Sequence, residues 1–280
     1  MIQRQALVVP FTKMNGAGND FIVLDNRFLH FSTDELAELA RRFCPRRTGV
    51  GADGLLALDD AEDADFRMRY RNADGSLGTM CGNGARCLAR FAARAGLGRE
   101  ADGATHLTFE TDGGRYSARV TAEAVELDVP APRAFEVEAP ASALGTVHPI
   151  WTGTEHAVVF VDRVEDAPVA EEGARLRQHE AFAPTGTNVN FVERQADGAT
   201  VRVRTFEKGV EVETLACGTG ALASALVAHR AGGLAATAIT VEMPGGALGV
   251  SFRDEGGEIR DLRLSGPAET VYEGTLEWWG

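Results

Sequence analysis

Two stretches of this 280-residue chain carry one pattern. Cys81-Gly-Asn-Gly-Ala-Arg-Cys-Leu-Ala-Arg-Phe-Ala-Ala-Arg-Ala-Gly96 and Cys217-Gly-Thr-Gly-Ala-Leu-Ala-Ser-Ala-Leu-Val-Ala-His-Arg-Ala-Gly232 align without a gap at an offset of 136, with nine of sixteen positions identical. Matches continue outward in the same order: Gly16–Asp25 with Gly153–Asp162, Arg69-Tyr-Arg71 with Arg202-Val-Arg204, and Thr108–Gly114 with Thr240–Gly246. Ordered matches at nearly one offset mean duplication, and a period this long means two domains, since solenoid repeats run ~20–50 residues. The expected halves are residues 1–132 with Cys81, joined by the tail 267–280, and residues 133–266 with Cys217. A pseudo-two-fold axis is the expected relation between them.

Each half reads as mixed α and β. Apolar runs predict strands at Phe21–Asp25, Phe66–Arg71, Leu107–Glu110 and Ser117–Val120, and at Val158–Asp162, Val201–Thr205, Ile239–Glu242 and Leu262–Ser265. Ser32-Thr-Asp-Glu35 is a capping-box signature opening a helix over Leu36–Phe43. Pro168 suits the first turn of a counterpart near Val169–His179. The segments after Cys81 and Cys217 are Ala-rich, apolar nearly all round, and followed by Gly96 and Gly232 at helix-ending positions. The fold expected is α+β: two pseudo-symmetric domains, each a mixed or antiparallel sheet wrapped around a central helix.

Charge and cysteine usage exclude several functions. A net charge of −13 argues against nucleic acid and anionic membranes as partners, and no apolar run reaches the ~18 residues of a membrane helix. The stretch Met1–Phe11 does not read as a secretory signal. Arg41, Arg42, Arg46 and Arg47 read as a solvated helix end rather than an anion site. Four cysteines (Cys44, Cys81, Cys87, Cys217) without a Cys-x-x-Cys pair fit neither a disulfide scaffold nor a structural zinc site. Gly49-Val-Gly-Ala-Asp-Gly54 satisfies G-x-G-x-x-G, but it runs into the strand-like Leu55–Leu58 instead of following a strand. A dinucleotide fingerprint needs the reverse context, so the stretch reads as a turn.

Cys81 and Cys217 both sit directly before Gly-x-Gly-Ala and a helix. Unpaired N–H groups at a helix start lower a thiol's pKa and can hold a carboxylate. Two such thiols facing one another across a domain cleft would flank a single carbon. One removes a proton and the other delivers one on the opposite face, which is stereoinversion by general acid–base catalysis with no metal or cofactor. Cys87, whose counterpart is Ala223, and Cys44 read as packing residues.

Four segments resemble the diaminopimelate epimerase family: Lys13-Met-Asn-Gly-Ala-Gly-Asn-Asp-Phe21, Asn72-Ala-Asp-Gly-Ser76, Met80-Cys-Gly-Asn-Gly-Ala-Arg-Cys87 and Glu213-Thr-Leu-Ala-Cys-Gly-Thr-Gly-Ala221. The resemblance runs from Phe11 to Gly280. The Cys217 block alone also fits proline racemases and phenazine-pathway isomerases, whereas Asn72-Ala-Asp-Gly favours diaminopimelate.

The resemblance implies a cytoplasmic homodimer that interconverts LL- and meso-diaminopimelate without pyridoxal phosphate, in lysine and peptidoglycan precursor synthesis. It implies Cys81 and Cys217 as the two bases, with Glu207 and His156 beside them. It also implies Asn19, Asn72 and Asn188 at the substrate's polar ends, and Gly82, Asn83, Gly218 and Thr219 as helix-start amides around carboxylates. The chain departs from the family's pattern at Lys208, where arginine is frequent, at Thr154-Glu-His156, and at Gly54, where relatives carry a substrate-binding Gln. Lysine lacks arginine's bidentate fork, which weakens the expected clamp on the distal carboxylate. The rival expectations are a redox protein bridging Cys81 and Cys217, and a non-catalytic amino-acid-binding module.

Overall fold

The structure, a computed structural model, describes residues 6–134 and 137–279. The chain divides into two compact units, Met1–Leu127 with Pro267–Gly280, and Asp128–Gly266.

The first unit contains β1 (Leu7–Gly16), β2 (Asn19–Asp25), the single turn α1 (Asn26–Leu29), α2 (Thr33–Phe43), β3 (Gly54–Asp59), β4 (Phe66–Asn72), β5 (Leu77–Gly78) and α3 (Gly82–Arg94). It continues with β6 (Arg99–Ala101), β7 (Ala104–Thr111), β8 (Gly114–Val120) and β9 (Val125–Asp128). The second unit runs through β10 (Val147–Trp151), β11 (Glu155–Phe160), α4 (Val169–Arg177), β12 (Asn188–Arg194), β13 (Thr200–Glu207), β14 (Val212–Thr214), α5 (Gly218–Arg230), β15 (Ala238–Met243), β16 (Gly246–Glu255) and β17 (Glu258–Gly266). The last strand, β18 (Glu269–Trp278), returns to the first unit and pairs antiparallel with β1.

Strand pairing repeats between the units. β1–β2 is antiparallel, β2–β3 parallel, β3–β4 antiparallel, β4–β7 parallel and β7–β8 antiparallel. The series β10–β11, β11–β12, β12–β13, β13–β15, β15–β16 has the same five senses. α3 packs on β1, β2, β3, β4, β7 and β8, and α5 on β10, β11, β12, β13, β15 and β16. Each unit is therefore a mixed sheet wrapped round a buried helix, as the duplication predicts.

The apolar runs are continuous because their strands are covered on both faces. Phe21, Ile22, Val23 and Leu24 are all fully buried. Ile22 and Leu24 pack with Leu36 and Leu39 of α2, while Phe21 and Leu56 lie against Gly84 of α3. In the second unit Val159, Phe191 and Phe206 meet Leu176 of α4 in the same way. The α2 capping box is formed: Glu35 N–H donates to Ser32 Oγ at 3.3 Å, and Ser32 N–H to Glu35 Oε2 at 2.8 Å.

Three details differ from the sequence reading. Pro168 is the residue before α4, not in its first turn. Gly96 takes the left-handed conformation after α3 (φ +81°), but after α5 that role falls to Gly233 (φ +76°). Gly232 instead lies where a Cβ would come 2.7 Å from the Ala228 carbonyl oxygen. Finally, α3 is not uniformly apolar, because Arg86 is fully buried within it.

Candidate active site

Both central helices are capped by cysteine. Cys81 and Cys217 have extended backbones (φ −140° and −129°), and their sulfurs accept the backbone N–H of Gly84 at 3.5 Å and Gly220 at 3.3 Å. Each sulfur thus takes the place of the Ser or Asp oxygen of an ordinary N-cap, within reach of the positive end of the helix. Cys81 is half-buried and Cys217 buried. Cys44 and Cys87, by contrast, are fully enclosed, and burial pushes both thiols up to about 12.

The remaining predicted residues lie on the strands and turns of the two sheets. In the first unit the Ala17-Gly18 turn, with both residues at positive φ, closes the β1–β2 hairpin and sets Asn19 at the head of β2. Asn19 Oδ1 lies 3.6 Å from Cys81 Sγ and accepts from Asn83 Nδ2 at 3.3 Å. Asn19 Nδ2 donates to Asp53 Oδ2 at 2.6 Å. Asn72 ends β4 opposite Gly54, and its amide donates to Ser76 Oγ at 3.0 Å within the Asn72–Ser76 turn. A Cβ at Gly54 would lie 2.6 Å from the Tyr70 ring, so Tyr70 fills the space that a longer side chain there would need.

The second unit repeats the placement with other side chains. His156 and Asn188 are partners in the parallel β11–β12 ladder, and Val189 opposite Phe206 brings Glu207 alongside. The Asn188 amide is committed to backbone, donating to the Glu155 carbonyl at 3.0 Å and accepting from Lys208 N–H at 2.8 Å. Lys208 Nζ is paired with Glu155. Burial raises the Glu207 carboxyl above its ordinary value, against a hydrogen bond of 2.8 Å from Thr214 Oγ1. Thr219 Oγ1 stands 3.5 Å from Cys217 Sγ, and its carbonyl accepts from Thr152 Oγ1 at 2.8 Å. His156 is fully buried, with its Nδ1 3.0 Å from Asn190 Nδ2, and burial holds the imidazole well below its ordinary value. A Cβ on Gly220 would come 2.5 Å from Asn190 Oδ1, so only glycine lets Asn190 approach the start of α5.

In the first unit Cys81, Asn19 and Asn83 meet at the start of α3; in the second Cys217 and Thr219 meet at the start of α5, where Asn190, the partner of His156, lies against Gly220. Asn72, Asn188 and Glu207 bond within the strands and turns that carry them. Residues that sequence reasoning passed over also join them: Asp53, Arg86, Glu155, Asn190 and Thr205. Two carried a signal. Arg86 is a cation near the start of an Ala-rich helix, and Asp53 lies inside the Gly49–Gly54 stretch, which leads into β3 as a turn would. Of the arginine cluster, Arg46 is not simply solvated, since it pairs with Asp20 at 2.8 Å and Asp53 at 2.6 Å.

The diaminopimelate epimerase family model matches residues 11–131 and 150–271. A diaminopimelate epimerase of Chlorobaculum tepidum is 44% identical over 265 residues, covering 94% of this chain and 99% of that protein. One from Aquifex aeolicus is 37% identical over 282 residues, covering 95% and 97%. Among solved structures, a phenazine biosynthesis protein of Bacillus anthracis superposes with a TM-score of 0.73 at 16% identity, covering 96% of this chain and 99% of that one. A hydroxyproline epimerase of Agrobacterium vitis gives 0.69 at 17%, covering 100% and 94%. Those two share the fold. The family match spans both units and both cysteine-capped helices, and on it the chain belongs to the diaminopimelate epimerase family.

Proposed function

We propose that this chain interconverts LL- and meso-2,6-diaminopimelate by proton transfer at the α-carbon, without a cofactor. Cys81 and Cys217 serve as the two bases, one thiolate and one thiol. The observation that carries this reading is the matched setting of the two sulfurs: each caps a buried helix and accepts the N–H three residues on. The helix-start amides of Gly82 and Asn83, and of Gly218 and Thr219, would hold the reacting centre's carboxylate and the negative charge that grows on it. Glu207, its carboxyl raised by burial, suits the α-ammonium group. Asn19, Asn72 and Asn188 supply amides for the polar ends. Lys208 reaches a distal carboxylate only in competition with Glu155.

In this reading the catalytic halves are residues 1–132 with 267–280 and residues 133–266, each contributing one thiol. The enzyme works in the cytoplasm as a homodimer, in the supply of lysine and peptidoglycan precursors. Reduced, proton-exchanging thiols fit a reducing compartment, and Val8, Val271 and Tyr272, which β1 and β18 leave exposed, offer apolar surface to a second copy. Among the described residues no helix is long and apolar enough to cross a membrane.

The test is the initial epimerisation rate, followed by circular dichroism, on LL-diaminopimelate, L-lysine and L-proline. Lysine lacks the distal carboxylate, and a site built to bind that group rejects it by up to ~10⁴–10⁵. Comparable rates on lysine and diaminopimelate would move the assignment to a broad amino-acid racemase.

A further inference from the structure

Two side chains, Asp53 and Arg86, fix the orientation of two amides beside Cys81. A carboxylate can only accept hydrogen bonds, so the Asn19 atom 2.6 Å from Asp53 Oδ2 must be its NH2 group. A guanidinium can only donate, so the Asn83 atom 2.8 Å from Arg86 Nη2 must be its carbonyl oxygen. Both conditions give one answer in the middle: Asn83 turns its NH2 toward Asn19, and Asn19 turns its oxygen toward Asn83 and Cys81. The sequence separation of these partners, 34 residues for Asn19–Asp53 and 64 for Asn19–Asn83, shows that the fold and not local chain geometry brings them together.

Both ends of the relay are anchored. Asp53 Oδ2 also accepts from Asp20 N–H at 3.1 Å, and Asp53 Oδ1 from Arg46 at 2.6 Å. Arg46 in turn bridges to Asp20, which holds the buried Lys13 at 2.7 Å. Arg86 is fully buried, and its other donors reach only backbone carbonyls, Gly82 and Pro267, at 3.4 Å each.

We propose that Asp53 and Arg86 are positioning residues that lock the Asn19–Asn83 amide pair so that Asn19 Oδ1 accepts the Cys81 S–H, presetting Cys81 as the thiol. The amide carbonyl can stabilise only the protonated sulfur; turned round, its NH2 would stabilise the thiolate. The consequence for turnover rests on the two-thiol reading above: Cys81 begins as the proton donor and the other cysteine as the base. The titratable and charged groups around Cys81 in its own unit are Arg86 and Cys87 on α3 and, through Asn19, the cluster Asp53, Asp20, Arg46 and Lys13. No proton leaves the pair in this arrangement; the S–H bond stays intact and is only oriented.

The experiment is the pH profile of iodoacetamide alkylation at Cys81, read by peptide mass mapping on the whole protein. Cys44 and Cys87 are enclosed and do not compete. Asp53→Ala removes the acceptor of Asn19 Nδ2 and frees that amide to turn. The midpoint of the Cys81 profile is then expected to fall by up to about one pH unit, the scale of one hydrogen bond exchanged between protonation states. Removing a charge would also lower it, but that effect is screened at roughly 0.5 M salt, whereas a turned amide is not. Asp53→Asn is the same shape, and its oxygen stays between Asn19 Nδ2 and Asp20 N–H, so it removes the charge and keeps the amide in place; its midpoint at high salt should match the parent's. A loosened loop would speed alkylation at every pH without moving the midpoint. An alanine variant whose midpoint stays, rises or shifts only at low salt, or an asparagine variant that shifts as far as alanine at high salt, overturns the proposal. Alkylation needs no substrate, so this result is independent of whether diaminopimelate is turned over.

Discussion

Replacing Gly220 by alanine sets two effects against each other. Gly220 is the third residue of α5, and alanine there gains about 1 kcal/mol of helix propensity. The new Cβ, however, would stand 2.5 Å from Asn190 Oδ1 and 3.2 Å from both Cβ and Sγ of Cys217. Asn190 is fully buried; it accepts from Thr205 Oγ1 at 3.0 Å and donates to His156 Nδ1 at 3.0 Å. Moving it breaks both bonds in a dry site, at roughly 1–3 kcal/mol each. The balance is a net loss of about 1–5 kcal/mol, or about 2–20 °C in melting temperature for a chain of this size. The displaced Cys217 sulfur should cost about 10²-fold in epimerisation rate, the scale of a misplacement near 1 Å. Gly84→Ala is the internal control: its Cβ meets only the Leu56 and Phe21 side chains, at 3.2 and 3.4 Å. Calorimetry and the circular dichroism assay read both variants. A Gly220→Ala enzyme as stable and as active as the parent would refute the packing account of the second cysteine's surroundings.

Cys81→Ala and Cys217→Ala should each lower epimerisation by at least ~10³-fold with native far-UV circular dichroism, whereas Cys87→Ala should keep its rate and lose about 1–2 kcal/mol in urea unfolding for the vacated core volume. Burial, with the charge of Lys208 adding to it, lowers the His156 imidazole from 6.5 to about 3. Between those values the unfolded chain holds the proton and the folded one does not, so this contribution is full above pH 6.5 and is lost as the pH falls toward 3. The urea midpoint should therefore drop from pH 7 to pH 5, and His156→Gln should flatten that slope; an unchanged slope would assign it to another group.

The parts of the fold that were legible in the sequence are those whose physics is local or repeated. Phe21–Asp25 reads as a strand because both faces are covered and every side chain in its middle is apolar. β18 was silent: most of its side chains are exposed and polar, and what makes it a strand is a ladder to β1 about 260 residues away. Cys81 and Cys217 were legible because duplication put the same residue at the same helix start twice. Asp53 was not, because its partner Asn19 lies 34 residues away; Arg86, which bonds Asn83 three residues back, was not, because nothing local says which arginine of the helix is buried. Asp53 also lies in a glycine pattern that invites a nucleotide reading, and Arg86 was averaged into an apolar helix. Lys208 shows the opposite case. Its expected place near the substrate followed from the family resemblance, while its side chain is engaged by Glu155 of β11.

The most direct test of the two-base account is the fate of the α-hydrogen in deuterated water. LL-diaminopimelate should be followed at low conversion by proton NMR with mass analysis of the separated isomers. Two cysteines, one removing and one delivering, predict that the meso product carries deuterium at its inverted centre from the first turnovers while the remaining LL substrate keeps its protium. A meso product that retains the substrate's own α-proton would mean that a single group removes and returns it, and would contradict the central claim.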